Sequence, residues 1–410
     1  MFLASGARVA VSRDARTLDA ALVALVAVIL LQLVPLPSTV VDRLSPHAQA
    51  LQQMLSLAPS TSLRSLTIDV WLTRNALAAC AAAILVFFAA RETFSEGGVR
   101  LAALTIAYSG LAAAVVGLIQ RATAPTLLLW TWRPTDPGAQ PYGPFVNRNH
   151  FATWLLLAGS LTAGYLIAHV YSHATERPGS RRLLLRDLLA DGDALLLAGS
   201  LAFMALALAG SLSRSALLGA ATALAFGVLV AGRRERSALA MRMGGAALIA
   251  VVVLAVWANR EGLVARVDAT LATTDTGRTT IWRETVPVIR DFWLTGTGAG
   301  TYAQSMLKYQ TTTKRVLFNQ AHNEYLQLLA EGGLLLSVPA LVALLAWIRI
   351  AWRRLQQETQ AMRWVRTGAA AGIAGLAVQG LFETGLRMPA NAMLFALLAA
   401  IVVHEPRKHS

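Results

Sequence analysis

The chain has 410 residues, of which 56% are hydrophobic and only 14% are charged, and its mean hydropathy is +0.53. Soluble domains carry about 25% charged residues, so this composition excludes a soluble enzyme, a disordered chain and a secreted disulfide scaffold. In a soluble protein the net charge of +14 would suggest nucleic-acid binding. Here the basic residues lie mostly in short segments between apolar runs, so we predict a membrane protein with no nucleic-acid partner.

Ten apolar runs have about the length that a helix needs to cross a hydrocarbon layer of about 30 Å. The first run lacks a clear cleavage site after it, so we interpret it as an uncleaved span. We predict an all-α, polytopic membrane protein whose single multi-pass domain covers residues 1–410. The predicted spans are 18–34, 75–90, 101–119, 151–170, 194–211, 215–231, 243–258, 332–350, 367–383 and 389–403.

Most Lys and Arg residues fall in the inside segments when both chain ends are cytoplasmic, as the positive-inside rule requires. The outside then holds residues 36–74, residues 120–149 and a long periplasmic loop, 259–331, between spans seven and eight. We expect this loop to carry part of the active site. Its segment Thr279 to Phe292 predicts an amphipathic helix at the membrane surface. The apolar side of that helix is predicted to hold Ile281, Trp282, Val286 and Ile289.

Four consecutive polar residues stand immediately before the fourth span: Asn147, Arg148, Asn149 and His150. One interpretation is interfacial capping, because Asn is a good N-cap and Arg is common at membrane boundaries. The alternative is substrate binding, because four such residues exceed what a cap needs.

Arg214 lies in the segment Ser211 to Ser215, which joins two apolar runs with almost no loop. A charge at this depth costs about 2 to 3 kcal/mol unless it has a partner or snorkels to the surface. Sequence neighbours offer no carboxylate, so a substrate phosphate is a candidate partner, for which Arg supplies a bidentate donor.

Arg278 follows a predicted turn, Asp275-Thr276-Gly277, and precedes the amphipathic helix that also contains Arg283. A cation beside free N–H groups at a helix start can hold an anion, although a solvated surface Arg is equally compatible. The glycine-rich segment Gly296 to Gly300 indicates a tightly turned or flexible backbone rather than a nucleotide-binding loop.

His322 begins a helical pattern that continues into the eighth span, with Asn323 and Tyr325 beside it. A lone His is more often structural, but next to a suspected anion site it suits a general base. The acidic pair Asp191 and Asp193 imitates a metal site, but we interpret it as the polar flank of the fifth span. We see no other His, Asp or Glu cluster with metal-ligand spacing, and Cys80 is alone, so we predict a metal-independent protein without cofactors.

Four motifs together resemble the O-antigen ligase and polymerase superfamily, in order over about residues 140–340. They are Gly-Pro-Phe-Val-Asn-Arg-Asn-His-Phe-Ala at 143–152, Ser-Leu-Ser-Arg-Ser at 211–215, Gly-Arg-Thr-Thr-Ile-Trp at 277–282 with Leu-Thr-Gly-Thr-Gly-Ala-Gly-Thr-Tyr at 294–302, and Ala-His-Asn-Glu-Tyr-Leu-Gln-Leu at 321–328. The sequence departs from larger ligases in having about ten spans where twelve are common.

The resemblance implies a glycosyltransferase of the bacterial inner membrane that needs neither metal nor nucleotide sugar. It would move a glycan from an undecaprenyl-pyrophosphate donor to an acceptor hydroxyl on the periplasmic side. Arg214 and Arg278 would hold the pyrophosphate, and His322 would deprotonate or orient the acceptor. We add candidate substrate-binding residues that lie in these motifs or, for Arg283, directly after one: Asn147, Arg148, Asn149, His150, Arg283, Asn323 and Tyr325.

Two functions therefore remain open from the sequence. The first is the glycan transferase, acting as an exopolysaccharide or O-antigen polymerase or as a ligase to lipid A core. The second is a flippase or transporter of the same lipid-linked glycan. A flippase would need cation-lined cavities within its spans, and the near absence of charge in the predicted spans favours the transferase.

Overall fold

The structure, a computed structural model, describes residues 13–55, 62–136, 138–176, 190–232, 277–312, 316–358 and 361–407. These residues are mostly helical, which confirms the predicted all-α class. Two short strands, β1 (Leu36–Pro37) and β2 (Leu63–Arg64), pair antiparallel. The helices are α1 (Arg13–Leu33), α2 (Ser38–Leu44), α3 (Ala48–Leu55), α4 (Val70–Ser95), α5 (Val99–Thr123), α6 (Arg148–Glu176), α7 (Gly192–Gly210), α8 (Arg214–Gly232), α9 (Arg278–Asp291), α10 (Tyr302–Tyr309), α11 (Glu324–Gln357), α12 (Met362–Gln379) and α13 (Pro389–Val403).

Six helices of the described residues are long and apolar enough to cross a membrane: α1, α4, α5, α6, α7 and α11. Two shorter apolar segments, Arg214–Val230 and Pro389–Val403, lie at the predicted sixth and tenth spans. The predicted seventh span, 243–258, and the first part of the predicted loop, up to residue 276, lie outside the described residues. The protein is therefore a multi-pass membrane protein, and the count of ten spans stays a prediction.

The predicted ninth span, 367–383, is wrong at its C-terminal end. Helix α12 ends at Gln379, and the chain turns through residues 380–384 before a short 3₁₀ helix, Gly385–Arg387. The turn is held by hydrogen bonds from the backbone N–H groups of Leu381 and Phe382 to the carbonyls of Val378 and Gln379. Apolar residues continue through this turn, so hydropathy alone extends the helix past its true end.

The predicted amphipathic helix is observed as α9, and it contains Pro287, but its predicted apolar side is partly wrong. Val286 is 56% exposed, whereas Glu284 and Thr285 are buried together with Val288. The two polar side chains are buried because each has partners. Glu284 Oε1 accepts hydrogen bonds from the backbone N–H and the hydroxyl of Thr311, both at 2.9 Å.

The chain divides into two compact units, and the first comprises Met1–Ala81, Glu284–Thr311 and Leu328–Gln356. Within it, Gln32 on α1 donates to the carbonyls of Thr295 (2.9 Å) and Glu331 (3.1 Å) and accepts from the N–H of Ala299 (3.0 Å). The glycine-rich segment is tightly turned, as predicted: Gly298 has φ +111°, and a Cβ there would meet the Thr67 hydroxyl at 2.0 Å.

The second unit comprises Ala82–Arg283, Thr312–Gln327 and Gln357–Ser410. Its central helix is α12, which is buried along most of its length and packs against α6, α8 and α13. Close packing requires glycine where α6 crosses α12, because a Cβ on Gly164 would lie 2.5 Å from the Trp364 carbonyl oxygen. These contacts bring the N-terminus of α6 and the turn after α12 together.

Candidate active site

A fully buried carboxylate, Glu383, is the centre of a polar cluster in the second unit. It lies in the turn after α12, and its side chain is 0% exposed. Its Oε1 lies 3.0 Å from Nδ1 of His322, and its Oε2 accepts a 2.7 Å hydrogen bond from the Asn149 amide. The guanidinium of Arg278 lies 3.5 Å from the same Oε2. One carboxylate thus gathers three residues that the sequence analysis selected separately.

The environment of Glu383 keeps its carboxylate charged. Burial raises its pKa, but the hydrogen bond and charge of His322, the backbone N–H of Thr384 and the charge of Arg278 outweigh burial and lower the pKa below its usual value. A charged carboxylate at Oε1 can only accept a hydrogen bond, so Nδ1 of His322 must carry the proton. In the neutral imidazole, Nε2 then presents its lone pair.

His322 adopts a backbone conformation that is uncommon for any residue except glycine, with φ +47°. Its neighbours hold this conformation from both sides. Trp282 donates its indole N–H to the Ala321 carbonyl (3.0 Å), and the N–H of Ala321 donates to the Gln327 side chain (3.0 Å). The His322 side chain is 29% exposed, and Nε2 has no partner among the described residues. Such held strain is typical of functional sites.

The polar side chains of Asn323 and Tyr325 are hydrogen-bonded to backbone groups. Asn323 is the N-cap of α11, because its Oδ1 accepts from the N–H groups of Tyr325 and Leu326, both at 3.0 Å. Its amide also donates to the Leu381 carbonyl (3.1 Å). The hydroxyl of Tyr325 donates to the Ala377 carbonyl at 2.7 Å. Both side chains therefore fix the start of α11, and with it His322, against the end of α12.

Asn147, the first of the four polar residues before the fourth span, acts as a cap. Its Oδ1 accepts at 2.8 Å from the N–H of Asn149, the second residue of α6, which begins at Arg148. The capping interpretation therefore holds for Asn147, while the side chain of Asn149 is directed to Glu383.

His150 is 7% exposed, and both of its ring nitrogens are without a hydrogen-bond partner among the described residues. Its backbone carbonyl accepts from the Asn391 amide (3.1 Å), which ties this turn of α6 to the start of α13. A buried imidazole without partners is costly, since each unmet polar group costs about 1 to 3 kcal/mol. A ligand hydroxyl or phosphate at this position would remove that cost.

Three arginines lie near one another at the same end of the unit. Arg148 is within electrostatic range of Arg121, at the end of α5, and of Arg214, the first residue of α8. The connection before Arg214 is as short as predicted: α7 ends at Gly210, and Leu212 has φ +53°. Among the described residues, neither Arg148 nor Arg214 is within salt-bridge distance of a carboxylate. The cluster therefore has positive charge available for an anion. Arg283, on α9, is exposed.

A second carboxylate, Glu324, fixes the segment that follows Glu383. Its Oε1 accepts from the N–H of Leu386 (2.8 Å), and its Oε2 lies 3.6 Å from Arg387. The N–H of Glu324 donates to the Gly380 carbonyl at 2.8 Å. The turn that carries Glu383 is thus attached at both ends to the start of α11.

The statement that no further cluster has metal-ligand spacing is wrong. His169, His173 and Asp191 each offer a ligand atom, and these atoms lie within 4.8 Å of one another. Spacing along the chain misses this group because residues 174–190 separate His173 from Asp191. The acidic pair itself is the helix flank that we predicted, because Asp191 is the N-cap of α7.

A family model described as O-antigen ligase matches residues 199–338, about a third of the chain. Over these residues the match shows similarity to the O-antigen ligase superfamily. It confirms the resemblance, and it implies glycan transfer of the O-antigen ligase or polymerase type, with a lipid-linked glycan and an acceptor as substrates in general terms. No curated protein matches the chain.

The O-antigen ligase match contains Arg214, Arg278 and His322, whereas Asn149 and Glu383 lie on either side of it. Sequence reasoning missed Glu383. The available signal was an ionisable residue at the end of a predicted span. Placing such a residue in a membrane costs free energy, so it usually has a partner.

Proposed function

We propose that this protein is an inverting, metal-independent glycosyltransferase of the bacterial inner membrane. It moves a glycan from undecaprenyl pyrophosphate to an acceptor hydroxyl on the periplasmic face. The observation that carries the proposal is the 3.0 Å pair between Nδ1 of His322 and Glu383, in which the His322 side chain remains 29% exposed. This arrangement suits a general base because the carboxylate fixes the tautomer and stabilises the imidazolium that forms.

The reaction is a single displacement at the anomeric carbon. His322 Nε2 takes the proton of the acceptor hydroxyl while the acceptor oxygen forms a bond to the anomeric carbon. The bond from that carbon to the pyrophosphate oxygen breaks, and its electron pair leaves with the pyrophosphate. Attack from the side opposite the leaving group inverts the configuration at this carbon.

The arginines meet the charge of the departing pyrophosphate. Arg214 lacks a carboxylate partner among the described residues. The guanidinium of Arg278 lies 3.5 Å from Oε2 of Glu383, and its side chain remains 38% exposed. Guanidinium groups bind phosphate oxygens in bidentate geometry, and their charge stabilises a developing anion. Arg148 extends this positive surface, and Arg283 is a further candidate for contact with the donor.

The acceptor binds beside His150. Its two unmet ring nitrogens can accept from one sugar hydroxyl and donate to another, which a neutral imidazole does simultaneously. Asn149 joins this position to Glu383. The site therefore binds hydroxyl groups of the acceptor sugar at His150 and positions one of them for His322. Asn147, Asn323 and Tyr325 act through the backbone that they fix.

The test is glycan transfer by purified protein in liposomes that contain undecaprenyl-pyrophosphate oligosaccharide, with a chelator and without nucleotide. Growth of the glycan on its own carrier identifies a polymerase, and glycan on added lipid A core identifies a ligase. Either product supports the proposal. If no product forms with either acceptor while labelled donor crosses the bilayer, the transferase is wrong and the flippase is correct.

A further inference from the structure

A second polar cluster lies far from Glu383, at the opposite end of α6. His169 and His173 are one helical turn apart, so their imidazoles are on the same face of α6. Asp191 stands immediately before α7 and faces them. His150 and His169 are nineteen positions apart on one helix, or about 28 Å at 1.5 Å per residue. The two clusters are thus separated by about the thickness of a hydrocarbon layer.

The carboxylate of Asp191 is fixed by the backbone. Its Oδ1 accepts from the N–H groups of Asp193 (2.9 Å) and Ala194 (3.3 Å), as an N-cap does. The other oxygen, Oδ2, is directed to the histidines. It lies 2.7 Å from Nε2 of His169 and 3.4 Å from Nε2 of His173.

The tautomer of His173 follows from its other nitrogen. Nδ1 of His173 lies 3.0 Å from the His169 carbonyl, which can only accept, so Nδ1 carries the proton. Nε2 of the neutral ring then directs a lone pair at a carboxylate oxygen, and two acceptors face each other. A cation between them removes this conflict. An N–H donated to a backbone carbonyl by the distal nitrogen is also the usual support of a metal-binding imidazole.

One of the two distances to the carboxylate already matches a tetrahedral ion, and the other needs a small change. Bonds of about 2.0 to 2.2 Å from zinc to nitrogen and oxygen place ligand atoms about 3.3 to 3.5 Å apart. The His173 to Asp191 distance of 3.4 Å already meets this value. The His169 to Asp191 distance of 2.7 Å must lengthen by about 0.6 Å, which a small movement of the side chains provides.

We propose that His169, His173 and Asp191 form a zinc site that fastens the C-terminal end of α6 to the N-terminal end of α7. Two imidazoles and one carboxylate suit Zn²⁺, whereas Mg²⁺ and Ca²⁺ prefer oxygen ligands. His173 is 43% exposed, so an ion can enter and water can complete the coordination. The ion is structural. It does not act in glycan transfer, because it lies about 28 Å along α6 from His150.

The experiment uses full-length protein in detergent, with an affinity tag that contains no histidine. Chelator-treated protein is dialysed against ZnCl₂ and then against metal-free buffer, and bound zinc is measured by plasma mass spectrometry. We expect about one zinc per chain. A parallel sample with CoCl₂ is expected to show the visible absorption bands of tetrahedral Co²⁺.

Two variants and one control isolate the ligands. Asp191→Asn retains the N-cap, since Asn caps as well as Asp, but it loses the carboxylate. His173→Gln removes the exposed imidazole. Each is expected to weaken zinc binding at least about tenfold, because even indirect contacts to a metal are worth that much. His47→Gln, in the first unit, changes a histidine outside this cluster and should leave the stoichiometry unchanged.

Zinc should also raise the melting temperature of the wild type by a few degrees at saturation, and it should not raise that of Asp191→Asn. Wild-type protein that retains no more zinc than Asp191→Asn overturns the proposal and identifies the cluster as an imidazolium–carboxylate pair. Equal retention by all variants, including His47→Gln, overturns it as well, because the zinc then binds elsewhere.

Discussion

Replacing Glu383 by Gln tests the role of the buried carboxylate in depth. The side chain keeps its size, and its amide oxygen can still accept the hydrogen bond from Nδ1 of His322, so orientation is largely retained. What is lost is the negative charge beside the imidazolium that forms during transfer. The two groups are 3.0 Å apart, and their charge centres are about 4 Å apart. At an effective dielectric constant of about 20, a charge pair at 4 Å is worth about 4 kcal/mol.

The amide dipole of Gln recovers part of that energy, since a hydrogen bond between a charged group and a neutral one is worth about 1.5 to 3 kcal/mol. A net loss of about 1 to 2.5 kcal/mol corresponds to a fall in kcat of about 5- to 70-fold, at 1.36 kcal/mol per factor of ten. KM for the donor should change less than about threefold.

The assay is the initial rate of transfer in liposomes, with the amount of folded protein checked by size-exclusion chromatography. Glu96→Gln is the matched control, because Glu96 is an exposed carboxylate that pairs with Arg407. It should transfer at the wild-type rate. A folded Glu383→Gln protein with more than a third of the wild-type kcat would refute the role of Glu383.

Three further predictions follow from other contacts. Arg214→Lys keeps the charge but loses the bidentate donor, so transfer should fall about tenfold and KM for the donor should rise, and equal kinetics would contradict the phosphate role. Glu383 has a lowered pKa, so its stabilising contribution is present above its usual value of 4.5 and is lost as pH falls through the lower folded value. The difference in melting temperature between wild type and Glu383→Gln should therefore be constant above about pH 5 and shrink below about pH 4.5, whereas a difference independent of pH would contradict this. Gly164→Ala places a Cβ 2.5 Å from the Trp364 carbonyl and should cost about 1 to 3 kcal/mol, while Gly199→Ala on α7, where a Cβ meets nothing within 4 Å, should cost nothing. Equal melting temperatures of these two variants would show that α6 and α12 do not cross this closely.

Local sequence patterns predicted much of the fold. Apolar runs located helices such as α6 and α7, and the polar start of the helical pattern at 321–328 located His322 at the N-terminus of α11. These predictions succeeded because each depends on residues within one or two helical turns. The tight turn before Arg214 followed from two runs separated by only a few polar residues.

The failures involve contacts between distant segments. Glu383 was included in an apolar run because its partners, Asn149 and His322, are 234 and 61 positions away. The buried side of α9 was misjudged because Glu284 is buried by its hydrogen bonds to Thr311 rather than by hydrophobicity. The cluster that includes His169 was missed because Asp191 is 22 positions away, so the spacing of the two histidines alone does not reveal their carboxylate partner.

The central claim is that His322 takes the proton of the acceptor, and the most direct measurement compares transfer rates of wild type and His322→Ala in the same liposomes. Donor concentration should be saturating, and insertion of both proteins should be verified. General bases contribute about 10² to 10⁴ to rate, so the variant should transfer at least about 10²-fold more slowly while it still binds donor. A folded His322→Ala protein that transfers within about threefold of the wild-type rate would contradict the account.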